Sequence, residues 1–121
     1  MVELFTEFTF EAAHHLPNAP ADHRCTRLHG HSYRVVVHVR GTVDPHAGWV
    51  MDFADLKKAF EPLRNQLNHR CLNEIEGLAN PTSENVARWI WQRLRPALPG
   101  LCRIVVRESD DCGCIYEGGA G

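Results

Sequence analysis

Apolar and polar residues alternate from the start of the chain. Val2, Leu4, Phe8, Phe10, Ala12 and His14 share one parity, with Thr6 the exception, and Glu3, Glu7, Thr9 and Glu11 take the other. A period of two predicts a strand with one buried face over roughly the first sixteen residues. LPNAPA (16–21) reads as a loop. A second alternation starts near His29, where His29, His31, Tyr33, Val35, Val37 and Val39 share a face and Ser32, Arg34, His38 and Arg40 point away. GTVDPHAG (41–48) is turn chemistry.

The period then changes. Asp52 offers a helix N-cap, and Phe53, Leu56, Phe60, Leu63 and Leu67 recur at helical spacing. Pro62 interrupts that stripe, which predicts a kink or a break into two pieces. Residues 68–80 read as irregular. A second helix opens at PTSENVARWIWQRL, capped by Thr82 or Ser83, with Val86, Ile90 and Leu94 facing inward and Pro96 closing it. RIVVRES (103–109) and CGCIYEG (112–118) read as two more strands joined around Asp110 and Asp111. The order β-β-α(α)-β-β predicts an α+β domain over residues 1–118, a four-stranded antiparallel sheet with helices on one face, and a flexible tail over 119–121. A sheet covered on one side only leaves an open face and free edges, which association with further copies would hide.

Composition narrows the function classes. The chain has 121 residues, enough for one core, and 13 Lys+Arg against 15 Asp+Glu without a block of like charge. That balance argues against nucleic acid or a membrane surface as partner. The acidic N-terminal stretch lacks the pattern of a signal peptide and no apolar run is long enough to span a bilayer, so a cytoplasmic protein is expected. Five cysteines in such a chain read as core residues, ligands or nucleophiles rather than disulfides. Eight histidines are about three times the background usage and point toward a site.

The site candidates concentrate in CTRLHGH (25–31). Residues two apart on a strand project together, so His29 and His31 share a face, and His14 on the inner face of the first strand meets them if the two strands pair. Three imidazoles with an open fourth position suit catalytic zinc; the plainer alternative is histidines that pack and hydrogen-bond. Cys25 stands as a fourth ligand, as a thiol acting beside the metal, or as a buried thiol. Arg24 and Arg27 argue for an electropositive pocket around it. His69, just after the first helix, is an acid/base candidate if it reaches Cys25. Glu108 sits on the apolar parity of Cys102, Ile104 and Val106, where it either anchors a ligand or marks the strand leaving the core. His15, His23, His38 and His46 show no partner logic.

Taken together, FEAAH (10–14), CTRLHGHSY (25–33), GWVMDFADLK (48–57), LNHRCLN (67–73), NPTSE (80–84) and VRES…CGCIYEG resemble the 6-pyruvoyl-tetrahydropterin synthase family across nearly the whole chain, and most closely its bacterial carboxy-tetrahydropterin synthase branch, which serves queuosine biosynthesis. The resemblance implies the T-fold, a hexamer of two stacked trimers, and active sites at subunit interfaces. It implies zinc on His14, His29 and His31, a catalytic thiol at Cys25, its acid/base partner at His69, and a pterin anchor with a possible relay role at Glu108. Thr82 and Glu84 are implied in the pterin pocket, with helix capping as their other role. The implied reaction takes 7,8-dihydroneopterin triphosphate to 6-carboxytetrahydropterin, acetaldehyde and triphosphate, with Arg24 and Arg27 as candidates for the triphosphate. A pyruvoyl-type synthase or a dihydroneopterin aldolase on the same fold is the alternative, and a structural zinc protein closed by Cys25 is the non-enzymatic one. Family members commonly carry Asp before the catalytic histidine, where this chain has Asn68. That leaves Asn68 as a neutral orienter or Glu108 as the source of the carboxylate.

Overall fold

Two long strands carry the architecture. β1 (Val2–His14) and β2 (His29–Gly41) pair antiparallel over their full length, from Val2 opposite Gly41 to His14 opposite His29. The computed structural model describes residues 1–119; Ala120 and Gly121 of the expected tail lie outside the described residues. α1 (Phe53–Leu67), β3 (Arg70–Cys71), α2 (Ser83–Leu94), β4 (Leu101–Arg107) and β5 (Gly113–Tyr116) follow. The sheet order is β3-β1-β2-β4-β5, antiparallel throughout except where β3 runs parallel to β1 at Ala12 and Ala13.

The inner parity of the strands forms the core. Phe10, Tyr33, Val35, Val37, Ile104 and Val106 are buried against Leu56, Phe60 and Leu67 of α1 and Val86, Ile90 and Leu94 of α2. Burying each such side chain contributes about 1.5–3 kcal/mol. Phe10 stacks on Tyr33 with ring centroids 4.7 Å apart, and Phe8 stacks on Phe60 at 4.2 Å. Both helices lie on this one face. The other face stays open: Glu3, Glu7, Thr9 and Glu11 are exposed, and Phe5 and Ile115 stand 62% and 63% exposed among them.

Three expectations change. The sheet has five strands rather than four, because two-residue β3 lies in the stretch read as irregular and is too short to show alternation. Its pairing continues through Asn73, whose side chain accepts from the His15 N–H at 3.0 Å and donates to the His15 carbonyl at 2.8 Å, so an amide stands in for backbone. α1 runs unbroken through Pro62. Pro62 and Lys58, whose carbonyl loses its partner, both face solvent, so water satisfies that group. β4 begins at Leu101 and ends at Arg107, two residues earlier at each end than the apolar run suggests.

The helix ends follow the expected chemistry. Asp52 accepts from the Ala54 N–H at 2.9 Å, and Thr82 accepts from the Asn85 N–H at 3.2 Å. Phe53, counted in the apolar stripe, is 49% exposed, as a first helical residue at the rim of the core. His38, read as partnerless, bonds Glu3 across the open face at 2.8 Å.

Candidate metal centre and active site

The strand pairing brings His14, His29 and His31 to one end of the sheet on its inner face. His14 lies opposite His29, and His31 lies opposite Ala12, two residues along. The three rings meet edge to face, with centroids 4.6–4.9 Å apart. One nitrogen from each falls within 4.8 Å of the others.

Backbone carbonyls select the tautomers. His14 Nδ1 lies 2.8 Å from the Pro81 carbonyl oxygen and His29 Nδ1 lies 2.7 Å from that of Arg27. A carbonyl oxygen only accepts, so each Nδ1 carries the proton and each Nε2 presents a lone pair. Those two Nε2 atoms face each other at 3.0 Å. Two acceptors at that distance call for a proton or a cation between them. His31 Nε2 is buried with no hydrogen-bond partner among the described residues. The donor set fits a zinc-type ion: neutral imidazoles bind at roughly 2.0–2.1 Å, which sets tetrahedral N···N spacings near ~3.3 Å, inside the range observed. The three histidines are therefore a group able to hold a metal.

Burial pushes His14 below the usual imidazole value, partly offset by its hydrogen bond to Pro81. The fully buried Tyr33 hydroxyl lies 3.1 Å from the same Nδ1 and shares its proton; burial raises the phenol well above its usual range. Glu108 follows β4, with Oε2 3.7 Å from His31 Nε2 and Oε1 accepting from the Ser83 hydroxyl at 2.8 Å.

A chamber of about 560 Å³ opens over the trio. Beyond the histidines its wall includes Arg24, Cys25, Arg27, Glu108 and Cys112. Cys25 is half-buried in the short 3-10 turn Arg24–Thr26. The turn is pinned by the Leu16 N–H to the Cys25 carbonyl at 2.7 Å, and by the Cys25 N–H to His23 Nδ1 at 3.0 Å, a use for His23 that spacing did not suggest. The metal-capable group among the described residues comprises the three histidines without Cys25, so the thiol does not close it as a fourth ligand within the chain.

His69 lies elsewhere. It lines a separate depression of about 490 Å³ with Glu11, Ala13, Gly30, Ser32 and Arg70, on the open face of the sheet. His31 borders both cavities. The backbone of His69 is left-handed, with φ of +60°, an uncommon conformation for a side-chain-bearing residue. It is held by its N–H to the Glu11 carbonyl at 2.6 Å, while Asn68 Oδ1 accepts from the Glu11 N–H at 2.9 Å. Asn68 thus ties the segment to β1 rather than orienting the imidazole, whose ring makes no hydrogen bond among the described residues. The structure does not bring His69 to Cys25 within the chain.

The PTSE segment serves the chamber through atoms the sequence reading passed over. Thr82 spends its hydroxyl on the α2 cap and Glu84 is exposed in the first helical turn; neither borders the chamber. Instead the Pro81 carbonyl orients His14 and Ser83 holds Glu108. Tyr33 carried a legible signal, being two residues from His31 on the same face. The carbonyls of Arg27 and Pro81 carried none.

The chain is 45% identical over 119 residues, 93% of its length and 91% of the relative's, to a 6-carboxy-5,6,7,8-tetrahydropterin synthase of Synechocystis. It is 40% identical over 112 residues to a dihydroneopterin monophosphate aldolase of Pyrococcus furiosus, covering 90% of this chain and 91% of that one. The solved 6-pyruvoyl tetrahydropterin synthase of Caenorhabditis elegans superposes with a TM-score of 0.90 at 30% identity, covering 98% of this chain and 96% of that one. The architecture is that of the T-fold pterin synthases. With the 6-pyruvoyl tetrahydropterin synthase profile matching residues 3–119, the chain belongs to that family.

Proposed function

We propose that this protein is a zinc-dependent 6-carboxy-5,6,7,8-tetrahydropterin synthase of queuosine biosynthesis, acting in the cytoplasm as a hexamer of two trimers. It would convert 7,8-dihydroneopterin triphosphate to 6-carboxytetrahydropterin, acetaldehyde and triphosphate. What supports this reading most directly is one chamber in which the three histidines, Cys25 and Glu108 share a wall. The likeness to the Synechocystis synthase supports the choice of product.

His14, His29 and His31 would hold the zinc, which when bound supplies Lewis-acid stabilisation of charge on the substrate's side-chain oxygens. The chain's own groups do the rest. Glu108, steadied by Ser83, accepts hydrogen bonds from the amino and ring N–H groups of the pterin. Cys25 as thiolate removes and returns protons at the side-chain carbons, and His69 is the complementary acid/base. Because Cys25 and His69 open into different cavities of one protomer, His69 would come from a neighbouring subunit docked on the open face.

Product analysis tests the reading. Purified protein with 7,8-dihydroneopterin triphosphate should release acetaldehyde and 6-carboxytetrahydropterin together. A 6-pyruvoyl product without acetaldehyde overturns it in favour of the pyruvoyl synthase. A phosphorylated two-carbon aldehyde marks aldolase chemistry instead, the reading favoured by the Pyrococcus relative.

A further inference from the structure

The five cysteines are distributed unevenly about the fold. Cys71 donates to Asn73 Oδ1 at 3.8 Å and lines a separate depression with Asn65, Gln66 and Arg70. Cys102 donates to the His38 carbonyl at 3.5 Å, and burial pushes its thiol up. Cys114 packs half-buried against the core, and burial raises it too. Cys25 and Cys112 are the two that border the histidine chamber. Both are free, Cys25 half-buried and Cys112 exposed.

Each of this pair stands in a turn, outside the helices and strands. Cys25 lies in the 3-10 turn Arg24–Thr26. Cys112 lies in the connection between β4 and β5, whose ends meet through the Glu108 N–H and the Cys112 carbonyl at 3.2 Å. The Ser109 hydroxyl, and after it the Cys112 thiol, hold the Asp111 carboxyl below its usual value, so a carboxylate lies beside that thiol to take its proton. Cys112 has no part in the reaction proposed above.

We infer that Cys25 and Cys112 form a reversible disulfide when a peroxide enters the chamber, and that this bond switches the site off. The Cys25 sulfur attacks one peroxide oxygen, the O–O bond breaks, and a sulfenic acid and water result. The Cys112 sulfur, its proton taken by Asp111, attacks the sulfenic sulfur. The S–O bond breaks as the S–S bond forms, and the departing hydroxide gains that proton to become water. Two thiols thus lose two electrons to one peroxide, with two waters as the other products. The new bond is about 2.05 Å long, so the two turns close toward each other across the chamber. A disulfide of this kind is a transient sensor rather than a staple. It also protects, since a sulfenic acid left without a second thiol is oxidised further to a sulfinic acid, which thiols do not reduce. The loss of turnover rests on the reading of Cys25 as the catalytic thiol; the bond itself does not.

The test treats the zinc-loaded protein with a small excess of hydrogen peroxide and reads intact mass, peptide maps and turnover. Wild type should lose two hydrogens, with Cys25 joined to Cys112 in one chain and zinc retained. Turnover should fall on the order of 20-fold and return to within about twofold on adding dithiothreitol. Cys112→Ser should instead gain two oxygens at Cys25, and dithiothreitol should not restore its activity. Each protein is compared with its own untreated sample, so a different starting rate does not blur the result. A wild-type cross-link to Cys114, or between chains, overturns the inference. So does oxygen added at Cys25 without a cross-link, an absence of oxidation at both thiols, or a Cys112→Ser protein that recovers as wild type does. The peptide maps need no substrate, so the bond stands or falls whatever product the enzyme makes. A mapped bond with undiminished turnover overturns the switch and, with it, the reading of Cys25 as catalytic.

Discussion

The two faces of the sheet at the His14–His29 end hold histidines under opposite conditions. On the inner face, His14 is buried, its tautomer is set by the Pro81 carbonyl, and Tyr33 closes in on the same nitrogen. On the open face, His69 is exposed, makes no side-chain hydrogen bond among the described residues, and sits on left-handed backbone. The chain thus surrounds the metal-capable trio closely and leaves the His69 ring without a hydrogen bond among the described residues. The metal-capable histidines are over-determined by the fold. His69 is positioned by its backbone alone.

The largest effect expected from breaking this contrast comes from the inner face. His29→Ala should abolish stoichiometric zinc, read by elemental analysis, and bring turnover to background, while the core keeps the fold. Zinc retained at full occupancy would refute the trio as its seat. Next in size is a pair of variants, Cys25→Ala and His69→Ala. Each should keep its zinc and lose on the order of 10²–10⁴-fold in kcat. Dissociated, mixed and reassembled, the two inactive proteins should regain activity, up to about a quarter of wild type if each site takes one residue from each of two subunits. No recovery on mixing would place both residues in a site made by one chain.

A smaller effect sharpens the inner side. Tyr33→Phe leaves the Pro81 contact and removes only the hydroxyl, so zinc affinity, measured by competition with a chromogenic chelator, should weaken by roughly 10-fold. The smallest concerns the other side. His69→Gly should raise thermal stability by about 0.5–1 kcal/mol, since glycine adopts φ of +60° freely, while losing activity as fully as His69→Ala. A fall in melting temperature would show that the ring packs for stability.

Much of this was open to a reader of the chain. The alternations in β1 and β2 put His14, His29 and His31 on one face because strand parity is a local property. Asp52 and Thr82 announce their caps because side-chain chemistry and position coincide. β3 was not visible, since two residues hold no period, and α1 survives Pro62 because the lost bond faces water. The carbonyls of Arg27 and Pro81 escape any reading by residue type, as every residue carries one. The separation of Cys25 from His69 depends on which face the chain takes after α1, and the nearest sign of that, the left-handed turn at His69, has no side-chain signature.

Gly30, between two of the trio, has a consequence for the open face of the sheet. A methyl group built there would meet nothing nearer than the Ala12 carbonyl oxygen, at 3.6 Å, which is ordinary contact. The hairpin therefore has no steric need of a glycine for its own packing. What the missing side chain leaves is a notch of bare backbone in the floor of the His69 depression, on the opposite side from the histidine cluster. A larger residue at this position would fill that recess and leave the histidine cluster on the inner face untouched.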